Sequence, residues 1–478
     1  MSTTKSEHNV AYVLYVCLVA AFGGLLLGFD SSVISGAIEP LSQHYQLTAS
    51  EKGWAVSNVI IGCIIGCFTA GSLADKYGRK IALIITALLF AVSALGSAIA
   101  TDFTVFVIFR MIGGLAIGTA CVVSPVYIAE VAPKDMRGRA STMNLVCLVG
   151  GQLLVLISNY LIARGATDLW LADMGWRWML GSELIPCVLF LLLIGFIPES
   201  PRWNVMKNRD ESALKTLTRI SNESHALELL KQIKESVRST IQEENQPKEK
   251  VKFTKRTVIF LVIGVGLATF NQLTGINVIQ YFGPTLLMNV TDSVQEAMFM
   301  SIFLVGLQFA GVIVGLQLID TLGRRPLLLW GSVGTAICLL ITFVTFFMGV
   351  KGFASVIGLL GFMFIFGITW AQVIWAVISE IFPNHLRAVG TGFSISAMWI
   401  SSFVISQTFP MLNESSWLVD RFHGGFPLLV FAVGGAISWW FVKAYVPETK
   451  GIPLEEMEDL VLKHNASRKD HHAAKVVQ

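Results

Sequence analysis

The chain has 478 residues and a net charge of +3, and it is 54% hydrophobic but only 14% charged. Soluble domains carry about a quarter charged residues, so this composition excludes an ordinary soluble globular protein. The basic residues fall between apolar stretches instead of gathering on one face, which excludes a nucleic-acid-binding footprint.

Apolar stretches of about 20 residues, the length that crosses a bilayer core of roughly 30 Å, alternate with short polar knots from Ala11 to Val446. Twelve helical spans are predicted, starting near residues 11, 54, 81, 104, 139, 176, 256, 295, 326, 352, 386 and 424. The first runs from Tyr12 past Gly36 and carries Asp30. It is too long for the core of a cleavable signal and carries the wrong residue, so it is expected to stay. Lys76, Arg79 and Lys80 follow span two, and Lys134, Arg137 and Arg139 follow span four. Arg324 and Arg325 follow span eight, and Arg387 follows span ten. The opposite loops hold scattered Lys52, Lys351 and Arg421, with Arg164 and Arg177 flanking another. The positive-inside rule puts the basic loops, and with them both termini, on the cytoplasmic side.

Residues 198–255 break the rhythm with charged, amphipathic sequence read as short cytoplasmic helices, and Gln242 to Lys250 is read as a flexible linker. The expected organisation is a six-helix half at 1–197, a cytoplasmic helical linker at 198–255, a second six-helix half at 256–446 and a cytoplasmic tail at 447–478, helical around Leu454 to Leu462. The seven cysteines, Cys17, Cys63, Cys67, Cys121, Cys147, Cys187 and Cys338, all lie in apolar stretches and read as packing residues. They form no disulfide framework and no metal-ligand spacing.

The two halves repeat each other. Asp75-Lys76-Tyr77-Gly78-Arg79-Lys80 returns as Asp320-Thr321-Leu322-Gly323-Arg324-Arg325. Glu130, Pro133 and Arg137 return as Glu380, Pro383 and Arg387, and Pro198-Glu199-Ser200 returns as Pro447-Glu448-Thr449. Three motifs in one order at nearly one offset indicate an internal duplication, with a solute site expected between the halves near the midplane. The acids and bases of these motifs sit at cytoplasmic helix ends and read as a gate whose ion pairs form across the halves and part.

Three ionisable residues fall well inside spans: Asp30 in span one, Arg110 in span four and Glu183 in span six. Their predicted depths agree. A lone charge there costs several kcal/mol, so a shared network is expected. Two carboxylates around one guanidinium leave a place for a proton, whose binding would release Arg110 to a new partner.

Uncharged polar and aromatic residues cluster at mid-depth. Span five has Gln152, and span seven has Asn271, Gln272, Asn277, Gln280 and Tyr281 around Gly275 and Pro284. Span eight has Gln308, span ten Trp370, Gln372 and Trp375, and span eleven Trp399. Amides both donate and accept, which suits hydroxyl groups, and indoles offer a flat apolar face with one donor. Amides and indoles without spare charge fit a neutral polyhydroxyl solute. Gly275 and Pro284 make span seven a breakable helix that can close over a ligand. Paired glycines, Gly62 with Gly66 and Gly114 with Gly118, read as close helix packing.

Gly78-Arg79-Lys80, Pro198-Glu199-Ser200-Pro201-Arg202-Trp203 and Pro447-Glu448-Thr449-Lys450-Gly451 resemble the sugar porter branch of the major facilitator superfamily, and the resemblance covers the whole chain. It implies an all-α fold of twelve transmembrane helices in two halves. It also implies a proton-coupled symporter that imports a neutral monosaccharide or polyol by alternating access from a bacterial cytoplasmic membrane. In that branch Asp30 matches the proton-coupling aspartate and Arg110 its partner. Gln152, Gln272, Asn277, Tyr281, Trp375 and Trp399 match sugar-site positions. Asn271 stands where glutamine is usual, Gln308 where asparagine is usual, and Ala371-Gln372 replaces Gly-Pro, so a pentose, a hexose and inositol all stay open. An uncoupled uniporter and a non-transporting sensor are the rival readings. An enzyme is not expected, because no nucleophile, metal or cofactor constellation appears. No cofactor is expected, and the partners are a sugar or polyol, a proton and the bilayer, with the chain acting as a monomer.

Overall fold

The computed structural model describes residues 9–133, 135–244, 254–291, 293–350, 352–383, 386–452 and 456–464. Among them twelve helices are long and apolar enough to cross a membrane. Spans one to six are Val10–Tyr45, Ala49–Tyr77, Arg79–Ala98, Phe103–Val131, Gly138–Ala163 and Asp168–Ile194. Spans seven to twelve are Arg256–Leu287, Val294–Leu322, Arg324–Phe347, Phe353–Ile381, Val389–Asn413 and Phe426–Tyr445. Helices are what these sequences must form in lipid, where each backbone donor and acceptor has to be paired within its own segment.

Two spans begin earlier than their apolar residues do. Span two opens at a capping box, in which the Thr48 hydroxyl accepts from the Glu51 N–H and the Glu51 carboxylate accepts from the Thr48 N–H. Span six opens where the Thr167 hydroxyl accepts from the Trp170 N–H, then passes through a π-turn at Leu171–Gly175. The first turn of span two, Ala49-Ser50-Glu51-Lys52, is polar, so hydropathy alone starts that helix late.

Three spans are interrupted. Span six breaks at Ser182–Glu183 before Leu184–Ile194. Span seven breaks between Leu273 and Ile276, where Gly275 has φ 86°. Span ten breaks at Thr369, with φ −112° and ψ −86°. Spans two and four approach closely through glycines as expected: a Cβ on Gly62 would meet the Met111 carbonyl and Gly114, and one on Gly66 would meet the Leu115 carbonyl and Gly118.

The chain forms two compact units that do not follow chain order. The first comprises Met1–Ser31, Ile61–Val155 and Arg177–Lys250, and the second Ser32–Ile60, Leu156–Trp176 and Val251–Gln478. Span one therefore gives its first part to one unit and its second part to the other.

Between spans six and seven lie three helices, Pro201–Met206, Asp210–Ile220 and Glu223–Glu244. The first is started by Pro201 and by the Ser200 hydroxyl, which accepts from the Trp203 N–H. Val205, Ala213 and Val237 make a small core of their own, joined by Leu230 and Ile233. The expected linker at Gln242 to Lys250 is helical through Glu244, and its remainder lies outside the described residues. In the tail, residues 457–464 are helical, while Leu454 lies outside the described residues.

Candidate functional site

The first unit holds the three intramembrane charges together. Arg110 donates from Nη1 to Asp30 Oδ1 at 2.7 Å, and its Nη2 reaches the Asp30 carbonyl at 3.5 Å. Asp30 is 0% exposed, and Arg110 and Glu183 are 1% exposed. Glu183 is buried beside this pair, and its Oε1 and the Asp30 Oδ2 both lack a hydrogen-bond partner among the described residues. Two carboxylates and one guanidinium are thus buried together, one positive charge short of balance. Glu183 reaches inward because it stands at the break in span six, where the helix restarts at Leu184. Gly113 keeps the opposite wall low, since a Cβ there would press on Ser93 and touch Asp30. Gln152, also in this unit, is buried.

The second unit holds the remaining sugar-site candidates. The Asn277 amide nitrogen donates to Gln272 Oε1 at 2.7 Å and to the Ser402 hydroxyl at 2.6 Å. The Gln272 amide nitrogen donates to Asn271 Oδ1 at 3.2 Å. Asn271, Gln272, Asn277 and Ser402 thus form one polar chain across spans seven and eleven. Gln280 donates to Gln308 Oε1 at 3.1 Å, tying span seven to span eight. Tyr281 is buried one residue on. The Gly275 break restarts the helix at Ile276, so Asn277, Gln280 and Tyr281 stand on a separate segment from Asn271 and Gln272.

The aromatic candidates divide. Trp399 has its indole nitrogen buried without a hydrogen-bond partner among the described residues, and Trp375 is 40% exposed. Trp370 is fully buried. Gln372, one of the mid-depth amides, is used locally: its nitrogen donates to the Ile368 carbonyl freed by the break in span ten.

At the repeated motifs each unit closes its own ion pairs. In the first, Arg79 lies 3.0 Å from Asp75 and 3.0 Å from Glu130. Glu199 accepts from the backbone N–H groups of Arg79, Lys80 and Ser200. In the second, Arg324 lies 3.4 Å from Asp320 and 3.1 Å from Glu380. Glu448 accepts from the N–H groups of Arg324, Arg325 and Lys450. The hydroxyls of Ser200 and Thr449 donate to Glu130 and Glu380 respectively. The duplication therefore extends to individual hydrogen bonds. Arg387 keeps Nε and Nη2 buried without hydrogen-bond partners among the described residues, and the Arg137 side chain lies outside the described residues.

Burial pushes the Glu199 carboxyl above the ordinary glutamate value, although the Ser200, Lys80 and Arg79 N–H groups and the Arg79 charge pull it down. Sequence reasoning missed Ser402. Its signal was its place one turn beyond Trp399, at the i, i+3 spacing that shares a helix face.

The family model described as "Sugar (and other) transporter" matches residues 16–461. The chain is 35% identical to a D-xylose-proton symporter of Escherichia coli, across 95% of this chain and 97% of that one. It is 36% identical to an arabinose-proton symporter of Bacillus subtilis, across 96% and 97%. The Escherichia coli xylose transporter in an inward-open conformation superposes with a TM-score of 0.82 at 34% identity, covering 94% of this chain and all of that one.

Proposed function

The chain belongs to the sugar transporter family of major facilitator fold, and from that premise we propose that it is a proton-coupled symporter of a neutral monosaccharide or polyol. The observation that carries the reading is the buried cluster of Asp30, Arg110 and Glu183, two carboxylates around one guanidinium. A proton on Asp30 neutralises the acid that holds Arg110. The guanidinium then turns to Glu183, and spans one, four and six are free to shift against one another. Loss of the proton restores the 2.7 Å pair.

The solute is read by uncharged groups. Asn271, Gln272, Asn277 and Gln308 supply donors and acceptors to hydroxyls, and Trp375 and Trp399 supply flat faces to C–H bonds. Gln152 and Tyr281 complete the set. The relatives' names, xylose and arabinose, put pentoses first among the solutes to test. The basic loops support a topology with the repeated motifs and both termini in the cytoplasm of a bacterial inner membrane. Asp75, Arg79, Glu130, Arg137 and Glu199 with Asp320, Arg324, Glu380, Arg387 and Glu448 then form the cytoplasmic gate. One chain supplies every residue of the set, which supports a monomeric carrier.

The test is the external pH of de-energised cells expressing the protein when xylose, arabinose, glucose, galactose or inositol is added. Alkalinisation with one of them is the expected result. Equilibration of a labelled solute without any pH change would instead identify an uncoupled carrier, with the Asp30 cluster structural.

A further inference from the structure

The second unit carries an ion cluster that the proton and sugar reading leaves unused. Lys52, in the first turn of span two, lies 3.1 Å from Glu39 near the end of span one. It lies 2.7 Å from Glu414, just past the end of span eleven. The Thr285 hydroxyl of span seven donates to Glu39 at 3.0 Å. The same ends are stitched a second time. Gln407 of span eleven accepts from the Ser57 hydroxyl at 2.7 Å and donates to the Ser50 carbonyl at 2.9 Å. Gly53 faces the Gln407 backbone carbonyl so closely that any Cβ would collide with it.

Spans one, two, seven and eleven are thus tied at one place, which the topology above puts on the outer side. Open surface ion pairs contribute little, but here the Lys52 and Glu39 side chains are only 13% and 15% exposed and Glu414 35%. One ammonium serves two carboxylates, so its removal leaves two acids facing each other at the same point. Thr285 lies in Ile276–Leu287, the segment of span seven beyond the Gly275 break. The Thr285 hydroxyl therefore ties that segment to Glu39 of span one.

We propose that Lys52, Glu39 and Glu414, with Thr285, form an outer latch that must open to admit solute and re-forms when the mobile segment of span seven closes. The inference rests on the transport reading, since only a carrier needs these ends to part. The latch belongs to this chain's gating and is separate from proton coupling at Asp30.

The test uses Ser57→Cys, at a position fully buried in this closed arrangement, in a variant whose seven native cysteines are replaced. A membrane-impermeant thiol reagent is applied outside intact cells, with and without Lys52→Met. Loss of the cation is expected to speed labelling by about fivefold, equivalent to about 1 kcal/mol. The exchanged pair Lys52→Glu with Glu414→Lys, which keeps one cation between two carboxylates, is expected to return the rate toward that of the parent. An unchanged rate with Lys52→Met, or no return with the exchanged pair, would overturn the latch. Labelling needs no solute, so its outcome is independent of the sugar uptake assay, which alone decides the transport reading.

Discussion

Arg110 holds Asp30 at 2.7 Å in a site closed to solvent, with Glu183 buried beside the pair. Removing one member of a buried pair costs about 3–5 kcal/mol when the other is left uncompensated. The second carboxylate decides which removals are tolerated. Asp30→Asn leaves Glu183 to pair with Arg110, so the variant is expected to fold and to exchange labelled sugar across the membrane. It is expected to lose accumulation against a gradient, which a comparison of counterflow with energised uptake in vesicles reads directly. Arg110→Leu leaves two buried acids without a cation and is expected to cost about 3–5 kcal/mol, seen as loss of the monodisperse detergent-solubilised species on size-exclusion chromatography. In the second unit, Asn277 donates to both Gln272 and Ser402. Asn277→Ala removes both bonds, at about 1 kcal/mol each, and frees Gln272 to turn. The solute KM is expected to rise by about tenfold, with the maximal rate reduced less, in initial-rate uptake.

At the scale of elements, the interruptions matter more than the helices. Span seven restarts at Ile276 because Gly275 takes φ 86°, a conformation that costs an L-residue about 1–2 kcal/mol, and its Cα faces the Phe431 ring. Gly275→Val is therefore expected to lose sugar binding together with thermal stability, whereas a valine at the open Gly392 position should leave both unchanged. Thermal unfolding followed by tryptophan fluorescence, with and without sugar, tests the pair. The breaks in spans six and ten arise differently. Span six restarts ahead of Pro186, which has no N–H to give the Ser182 carbonyl, whereas the break at Thr369 leaves the Gly367 and Ile368 carbonyls of span ten to the Gln372 amide. A helix restarted by side-chain capture of its own carbonyls leaves little trace in hydropathy.

At the scale of the whole molecule, the duplication is mirrored in several individual bonds. Arg79 and Arg324 meet equivalent acids, and Glu199 and Glu448 cap equivalent helix starts. The Glu199 carboxyl is held above its ordinary value by burial. A carboxyl raised in the folded state contributes stability below its unfolded value, about 4.3, and loses it as pH rises through the folded value. Wild type is therefore expected to lose stability relative to Glu199→Gln over that window as the pH rises. Melting temperatures of both proteins across a pH series measure the difference, and the opposite slope would mean that the three N–H donors outweigh burial.

The sequence by itself determined the twelve spans, the duplicated halves and the residues that cost most to bury, because apolar length, repeated motifs and intramembrane charges are local signals. Depth counting alone placed Asp30, Arg110 and Glu183 at one level; the structure pairs Asp30 with Arg110 and buries Glu183 beside them. Only the tertiary structure decided that Ser402 completes the Asn277 chain, that Gln372 mends a broken helix, and that Lys52 meets Glu39 and Glu414. Lys52 and Glu414 are 362 residues apart, and each alone reads as an ordinary polar residue at a helix end. Their meeting depends on how spans one, two, seven and eleven converge, and no periodicity within a single helix encodes that convergence.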